Sequence, residues 1–346
     1  MKVGIVGFSQ SGKSTLFQAL TGVVPDPSAA MKGQIGIATV VDPRLEFLCG
    51  MFNPKKRAPA KVDFVDTPGL IRGERADNPQ RLATLRNADG LLVVLDEFQS
   101  DEKPAVQLQR FREETLFADF EVVSNRIEKL EAGSRKPKPE KEKEREAKEL
   151  ADLKAIAARL ENAESLSGMT FGPEIENTLR SFQLFSLKPE MVVCNRGEHK
   201  LDAPIDEALQ ALNANVVAAA AKLELDLELL DAAERAGFME ELGVNELARE
   251  RIIRAAYDAV GLLSFFTVGE DECKAWTIKR NTSAVDAAGK IHSDIAKGFI
   301  RAETVAYDDL FRLGAMKEVR AKGLQRLEGR EYVVHDGDII NFRHNA

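Results

Sequence analysis

Five short apolar runs stand out against a polar background in the first two-thirds of the chain: KVGIV (2–6), KVDFVD (61–66), GLLVVLDEF (90–98), PEMVVCN (189–195) and NVVAAAA (215–221). The third and fourth are almost free of polar interruption, as strands covered on both faces of a parallel sheet must be. A second rhythm fills the stretch between them. Leu116, Phe120, Val123, Ile127 and Leu130 step by four and three residues, and Leu150, Leu153, Ala157 and Leu160 step in the same way. Such steps draw one apolar seam along each of two helices. Between the seams lies GSRKPKPEKEKEREAKE (133–149), where Gly133, Pro137 and Pro139 break the first helix and dense alternating charge follows. This pattern predicts a helical hairpin with a charged tip. The bases of that tip, Arg135, Lys136, Lys138, Lys141 and Lys143, are interleaved with Glu and do not by themselves make a nucleic-acid site.

The texture changes again near residue 262. LLSFFTVG and CKAWTI are strand-like, IHSDIAKGF turns into a further strand, and AETVAYDDLFRLG follows. REYVVHDGDIINFRHN reads as two short strands about the turn Asp336-Gly337-Asp338. Strands alternating with one or two helices over so short a span indicate a small α+β domain. The expected division is an α/β domain over 1–98 and 185–250, a helical coiled-coil insertion over 99–184, and a small domain over 262–346.

The candidate chemistry begins at GFSQSGKST (7–15), between the first strand and the helical TLFQAL. Gly7, Gly12, Lys13 and Ser14 fill the P-loop pattern G-x-x-x-x-G-K-[ST]. Each residue type has a physical reason to be there. Bare backbone N–H groups wrap the β- and γ-phosphates, so Gly stands where the chain passes close to them. The helix that follows turns its positive end toward the same anions. Lys13 adds a mobile charge, and the Ser14 hydroxyl suits Mg²⁺. The phosphate-binding set is therefore Gly7, Gln10, Ser11, Gly12, Lys13, Ser14 and Thr15.

The opposite wall of such a site comes from the later strands. Asp66 ends KVDFVD and is followed by Thr67-Pro68-Gly69, so the acid can reach Mg²⁺ beside Ser14 while Gly69 offers a backbone N–H to the γ-phosphate. Lys13 and Gly69 are the candidates for catalysis. Leu70 stands where Ras-like enzymes hold a water-orienting Gln, so hydrolysis is expected to be slow. The strand at 189–195 ends in Asn195-Arg196-Gly197-Glu198 where GTPases place Asn-Lys-x-Asp. Glu198 is one methylene longer than that Asp, which displaces the carboxylate by about 1.5 Å. A bidentate contact to guanine does not survive such a shift. Arg196 is expected to lie along the base, with Ala221 and Lys222 beside it. Strands, loops and helices in this order form a doubly wound, mostly parallel sheet with its ligand at the strands' C-terminal ends.

Composition narrows the partners. The chain has 346 residues, 44% of them hydrophobic, and a net charge of −8. An acidic protein meets nucleic acid only through local patches, and no DNA contact is expected. Three scattered cysteines suit a reducing cytosol, and no apolar run approaches a membrane span. The expected setting is cytoplasmic, away from membranes.

These residues resemble the YchF/Obg-like ATPase family over nearly the whole chain. The most specific text is FFTVGEDECKAWTIKRNTSAVDAAGKIHSDIAKGFIRAETVAYDDL and LEGREYVVHDGDIINFRHN, which resemble that family's TGS domain; FREETLFADFEVVSNRIEKLE and FMEELGV are similar to its insertion and linker. The resemblance implies a P-loop domain of the TRAFAC class, a coiled-coil insertion and a ubiquitin-like β-grasp TGS domain. It also implies ATP favoured over GTP, Mg²⁺ dependence, and association with ribosomes, their subunits or translation, with rRNA one candidate contact. The departures are local. Ser9 and Gln10 replace the family's Pro-Asn, Ala30 falls where its effector loop carries a Thr, with Ser28 the nearest hydroxyl, and the glycine-rich switch is missing after Leu70. Three readings stay open: a slow ATPase acting at the ribosome, a scaffold that holds ATP without turnover, and a GTPase. Deleting 262–346 is expected to reduce ribosome binding while leaving ATP affinity largely intact.

The methylene argument predicts that ATP binds more tightly than GTP and that Glu198→Asp moves the balance toward GTP. Calorimetric titration with both nucleotides checks this; a wild type preferring GTP by tenfold, about 1.4 kcal/mol, would contradict it.

Overall fold

The computed structural model describes residues 1–345 apart from 27, 30–31, 72–77, 135–136, 167–168, 199–202, 213–214 and 242–246, and apart from the side chains at 79, 80 and 232. It forms two compact units, one of residues 1–36 and 63–249, the other of 37–62 and 250–346.

The strands of the first sheet are β1 (Lys2–Val6), β2 (Gln34–Thr39), β4 (Lys61–Asp66), β5 (Gly90–Asp96), β6 (Glu190–Asn195) and β7 (Asn215–Ala219), with β3 (Lys56–Ala58) lying elsewhere. Their order is β2-β4-β1-β5-β6-β7. β1 runs parallel to both β4 and β5, β5 to β6, and β6 to β7. The register aligns the strand ends: Ile5 lies opposite Asp66, Asp96 opposite Asn195, and Asn195 opposite Ala219. Every residue of β5 is buried, as its unbroken apolar run requires of an interior strand.

Three helices matter for the site and the insertion: α1 (Lys13–Thr21) follows the P-loop, α2 (Pro43–Phe52) belongs to the second unit, and α3 (Asn78–Ala83) follows the Asp-Thr-Pro-Gly turn. The insertion supplies α4 (Pro104–Gly133), α5 (Glu140–Glu161) and α6 (Pro173–Phe182). The apolar seams meet as the heptad steps require: Leu116, Val123 and Leu130 pack with Leu153, Ile156, Leu160, Ile175 and Leu179. The first half of α4 has a different duty. Ala105, Leu108, Phe111 and Ala118 share the sheet's own core with Val6, Val93 and Val192. One helix thus serves both cores, which is why the insertion falls in the same compact unit as the sheet.

A buried carboxylate fixes the return of the insertion. Asp119, 0% exposed, accepts the N–H groups of Phe185 (3.0 Å) and Ser186 (2.8 Å), the Ser186 hydroxyl (2.8 Å), and a contact from Arg86 (3.4 Å).

The second unit is a mixed sheet that adds β8 (Leu262–Thr267), β9 (Glu272–Lys279), β10 (Phe299–Ala306), β11 (Arg326–Glu328) and β12 (Asp338–His344), in the order β11-β10-β12-β8-β9-β3. β8 and β12 run parallel, while β8–β9, β10–β12 and β10–β11 are antiparallel. Leu263, Phe265, Ile278, Ala302, Ile340 and Phe342 form one core with Ala284, Ala287 and Ala288 of the helix Ala284–Ile291.

Residues 37–62 depart from the sequence division, which placed them with the first domain. β3 extends the C-terminal sheet by pairing in parallel with β9, Lys56 opposite Glu272. α2, capped by the Asp42 carboxylate on Arg44 N–H (3.0 Å), buries Leu45, Leu48 and Cys49. Its Phe47 meets Tyr307 and Phe311 at ring separations of 5.7 and 5.0 Å. A cut at residue 262 would strip β3 and α2 of these partners, so it is not the clean deletion that the sequence suggested.

Asp119→Ala would leave two N–H groups and the Ser186 hydroxyl without their acceptor and would remove the carboxylate beside the Arg86 guanidinium. It is expected to lower the stability of the first unit by about 3–5 kcal/mol, read as a shift of its urea midpoint.

Candidate functional site

At the end of β1 the chain enters a loop that only unusual backbone angles can make. Gly7 and Gly12 have φ of +151° and +87°, and Gln10 shares the left-handed region at +67°. A Cβ on Gly12 would stand 2.0 Å from Asn195 Nδ2, so glycine is required there for space as well as for angle. The loop is tied across to the next strand end: Ser9 N–H donates to Leu70 O (2.8 Å) and Leu70 N–H to Gly7 O (3.0 Å). Gly69 is pressed against the loop, since a Cβ on it would lie 2.7 Å from Ser9 Cα and 2.8 Å from Lys13 Nζ. The sheet thus brings together Gly69 and Lys13, the two residues expected to act on the terminal phosphate.

Lys13 opens α1 and points back into the loop, where Nζ donates to Phe8 O (2.6 Å). Burial pushes its ammonium down to about 8, against the pull of the Asp66 charge. Ser14 Oγ donates to Asp66 Oδ2 (2.9 Å). Burial holds the Asp66 carboxyl above its ordinary range, opposed by the Ser14 hydroxyl, the Lys13 charge and the Thr67 N–H. Two buried oxygens here, Asp66 Oδ1 and Ser11 Oγ, have no hydrogen-bond partner. Such orphans cost about 1–3 kcal/mol each and mark where a ligand would repay the fold. Thr15 is half-buried on α1, and Gln10 accepts Gln99 Nε2 on its carbonyl (3.1 Å).

Asn195 joins the loop to the last strand. Its Nδ2 donates to Ser11 O (3.0 Å) and its Oδ1 accepts Ala221 N–H (3.0 Å). Glu198 is exposed, and Lys222 is exposed and paired with Asp226 (2.6 Å). Arg196 is not along a base. It is 3% exposed, with Nε on Glu97 (2.7 Å) and its other nitrogens on the carbonyls of Ala203 and Pro204. A guanidinium in so dry a position pairs with the nearest carboxylate and carbonyls, leaving no free face for a ligand. Its contacts tie the end of β6 to Glu97, Ala203 and Pro204.

Leu70, 0% exposed, packs with Phe8, Leu82 and Leu85. Its side chain faces the core and plays no part in placing water. Ala30 lies outside the described residues, as do 72–77 of the switch; the Ser28 hydroxyl is engaged by the Asp26 carboxylate (2.8 and 2.9 Å).

The tail of β5 holds residues that the sequence reading passed over. Phe98, 40% exposed, has its ring 3.8 Å from where a Gly12 Cβ would stand, and Glu97 anchors Arg196. Their signal was their place at the C-terminal end of a central parallel strand, where ligands of such sheets bind.

A second candidate surface lies on β10 and β12. Arg301 stands directly opposite Arg343, a like-charge pair that costs stability on a bare sheet face. Glu303 accepts from Arg343 and from Asn341 Nδ2 (2.9 Å), and feels the charge of Arg320. Other bases of this unit have local partners: Arg326 meets Tyr332 Oη (3.0 Å) and Asp338 (3.5 Å), and Lys297 meets Asp294 (3.5 Å). Arg330 lies over the Phe299 ring. Lys290 and Lys322 are exposed.

The chain is similar to known proteins in sequence and in fold. Residues 2–126 match a family profile described as a 50S ribosome-binding GTPase, and residues 262–345 match the C-terminal profile of YchF GTPases, described as a protein of unknown function. A ribosome-binding ATPase YchF of Bacillus subtilis is 35% identical over 371 residues, with all of both chains covered. Its counterpart in Mycoplasma genitalium is 34% identical over 372 residues, again covering both chains fully. The solved YchF GTPase of Schizosaccharomyces pombe superposes with a TM-score of 0.85 at 27% identity, over 99% of this chain and 97% of that one.

Lys13→Ala removes the loop's own side-chain cation and is expected to abolish ATP binding in calorimetric titration. Ser14→Ala should weaken chiefly the Mg²⁺-dependent part of the affinity. Unaltered affinity in Lys13→Ala would remove the P-loop assignment.

Proposed function

The chain belongs to the YchF family, and we propose that it binds ATP in preference to GTP, hydrolyses it slowly with Mg²⁺, and associates with ribosomes. The observation that carries the reading is the meeting of Lys13, the Ser14–Asp66 pair and the Gly69 backbone in one loop-lined space. Lys13 would leave the Phe8 carbonyl for the phosphates, while the loop's N–H groups and the start of α1 cradle them. Gly69 N–H would face the terminal phosphate as its bond to ADP breaks and water attacks.

Ser14 and Asp66 fit a Mg²⁺ ion. The donor set is hard oxygen, and the unpartnered Asp66 Oδ1 is an oxygen still wanting a cation. Bound there, the ion would supply positive charge to the phosphate oxygens. Base choice is assigned to Asn195, which supports the base loop, and to Glu198, whose length disfavours guanine. The exposed Phe98 offers an apolar edge beside Gly12.

Slow turnover follows from Leu70. With an aliphatic side chain buried in the core at that position, water is left to backbone and substrate groups. The same burial favours a second reading, in which ATP is held without turnover, and phosphate release decides between the two. The second unit is read as a TGS domain, in keeping with its mixed sheet and the helix Ala284–Ile291 packed on it. We assign the ribosome contact to this unit, with rRNA phosphate drawn to the arginines of β10 and β12. No helix among the described residues is long and apolar enough to cross a membrane. A cytoplasmic setting follows from the ribosomal partner.

Two measurements test this. Phosphate release with ATP and GTP, with and without ribosomes, should show slow ATP turnover; a single-turnover rate above about one per second would contradict the account of Leu70. Ribosome co-sedimentation should weaken as salt rises, and Arg301→Glu with Arg343→Glu should lower the logarithmic salt slope by about one per lost phosphate contact. Binding that ignores both salt and these changes would move the contact elsewhere.

A further inference from the structure

Leu70 is turned into the core and holds the turn that carries Gly69 through its backbone, and α3 adds a side-chain contact to the same turn. Arg81 Nη1 donates to Gly69 O (3.1 Å), while its Nε is buried without a partner. The peptide that follows Gly69 is therefore gripped at both ends, because Leu70 N–H on the same peptide donates to Gly7 O (3.0 Å). Glycine has the freest backbone of any residue, and a free Gly69 could swing its own N–H away from the phosphates. Fixing the next peptide takes much of that rotation away.

We propose that Arg81 is a positioning residue for hydrolysis: through the Gly69 carbonyl it sets the heading of the Gly69 N–H toward the terminal phosphate. The inference rests on the ATPase reading above. Three observations support it together. The Arg81 contact falls on a residue packed against the P-loop, where an added Cβ would lie 2.8 Å from Lys13 Nζ. Leu70, buried in the core, brings no polar side chain to the turn. And Arg81 holds the contact at the expense of an unsatisfied donor, which a mere surface arginine would turn to water. The effect should appear when charge develops on the phosphate, and much less in the affinity for ATP.

Arg81→Met keeps the stem and removes the donors, while Arg81→Lys keeps a charged donor that can reach the carbonyl. Three readouts are needed: calorimetric affinity for ATP, single-turnover phosphate release, and affinity for ADP with aluminium fluoride, which mimics the transferring phosphate. Arg81→Met is expected to slow release and weaken the aluminium fluoride complex by about tenfold or more each, with ATP affinity within about twofold of wild type. Arg81→Lys should recover a substantial part of both. Turnover equal to wild type in Arg81→Met would overturn the proposal. So would a matching loss of ATP and aluminium fluoride affinity, the mark of a purely structural role. Should Arg81→Met fail to fold, Arg81→Lys alone still decides: a folded Arg81→Lys that loses ATP and aluminium fluoride affinity equally shows a purely structural role and overturns the proposal. Wild type that binds ATP yet releases no phosphate would remove the ATPase reading and this role together, whereas active wild type with unaffected variants removes only Arg81.

Discussion

The site depends on strand register. A loop of N–H groups cannot hold itself open around an anion, and here it is held by β1 lying between β4 and β5. With Ile5 opposite Asp66, the P-loop and the Asp-Thr-Pro-Gly turn leave the sheet at the same level, and two backbone hydrogen bonds between Gly7, Ser9 and Leu70 lock them together. With Asn195 opposite both Asp96 and Ala219, one amide can reach Ser11 and Ala221 at once. A slip of one residue in any of these pairings would turn the alternate side chains to the wrong face.

On this frame the charges are held in a costly state. Burial drives Lys13 and Asp66 toward their neutral forms from opposite directions, and each partly restores the other's charge. The unpartnered oxygens of Ser11 and Asp66 add to the same imbalance. A phosphate chain with its cation would reverse all of these terms together, so strain in the free protein becomes affinity for the nucleotide. Arg196 shows the contrary arrangement, a buried charge that is fully satisfied and so serves structure rather than ligand.

The path of the chain between the two walls of the site has its own consequence. After the P-loop and α1 it leaves the first unit at Gly36 and returns at Asp63, having built α2 and β3 into the second. The strand ending in Asp66 is therefore continuous with a segment whose apolar face is satisfied by the C-terminal sheet.

What could be read from the sequence was local or periodic. GFSQSGKST, the aliphatic residue at position 70 and the heptad steps of the insertion each declare themselves within a few residues, because backbone angle, burial on two faces and helical repeat act at that range. Tertiary structure decided the rest. β3 is three residues, Lys-Arg-Ala, with no apolar alternation, and becomes a strand only because β9 offers an unpaired edge. Arg196 occupied a position where a charged residue could face a base or the interior, and the nearness of Glu97 and two carbonyls settled it. Phe98 and Arg81 carry no motif, and matter because folding sets one beside Gly12 and the other on the Gly69 carbonyl. A residue type declares its chemistry in the sequence, but its neighbours across the sheet determine whether that chemistry is spent on the fold or left for a ligand.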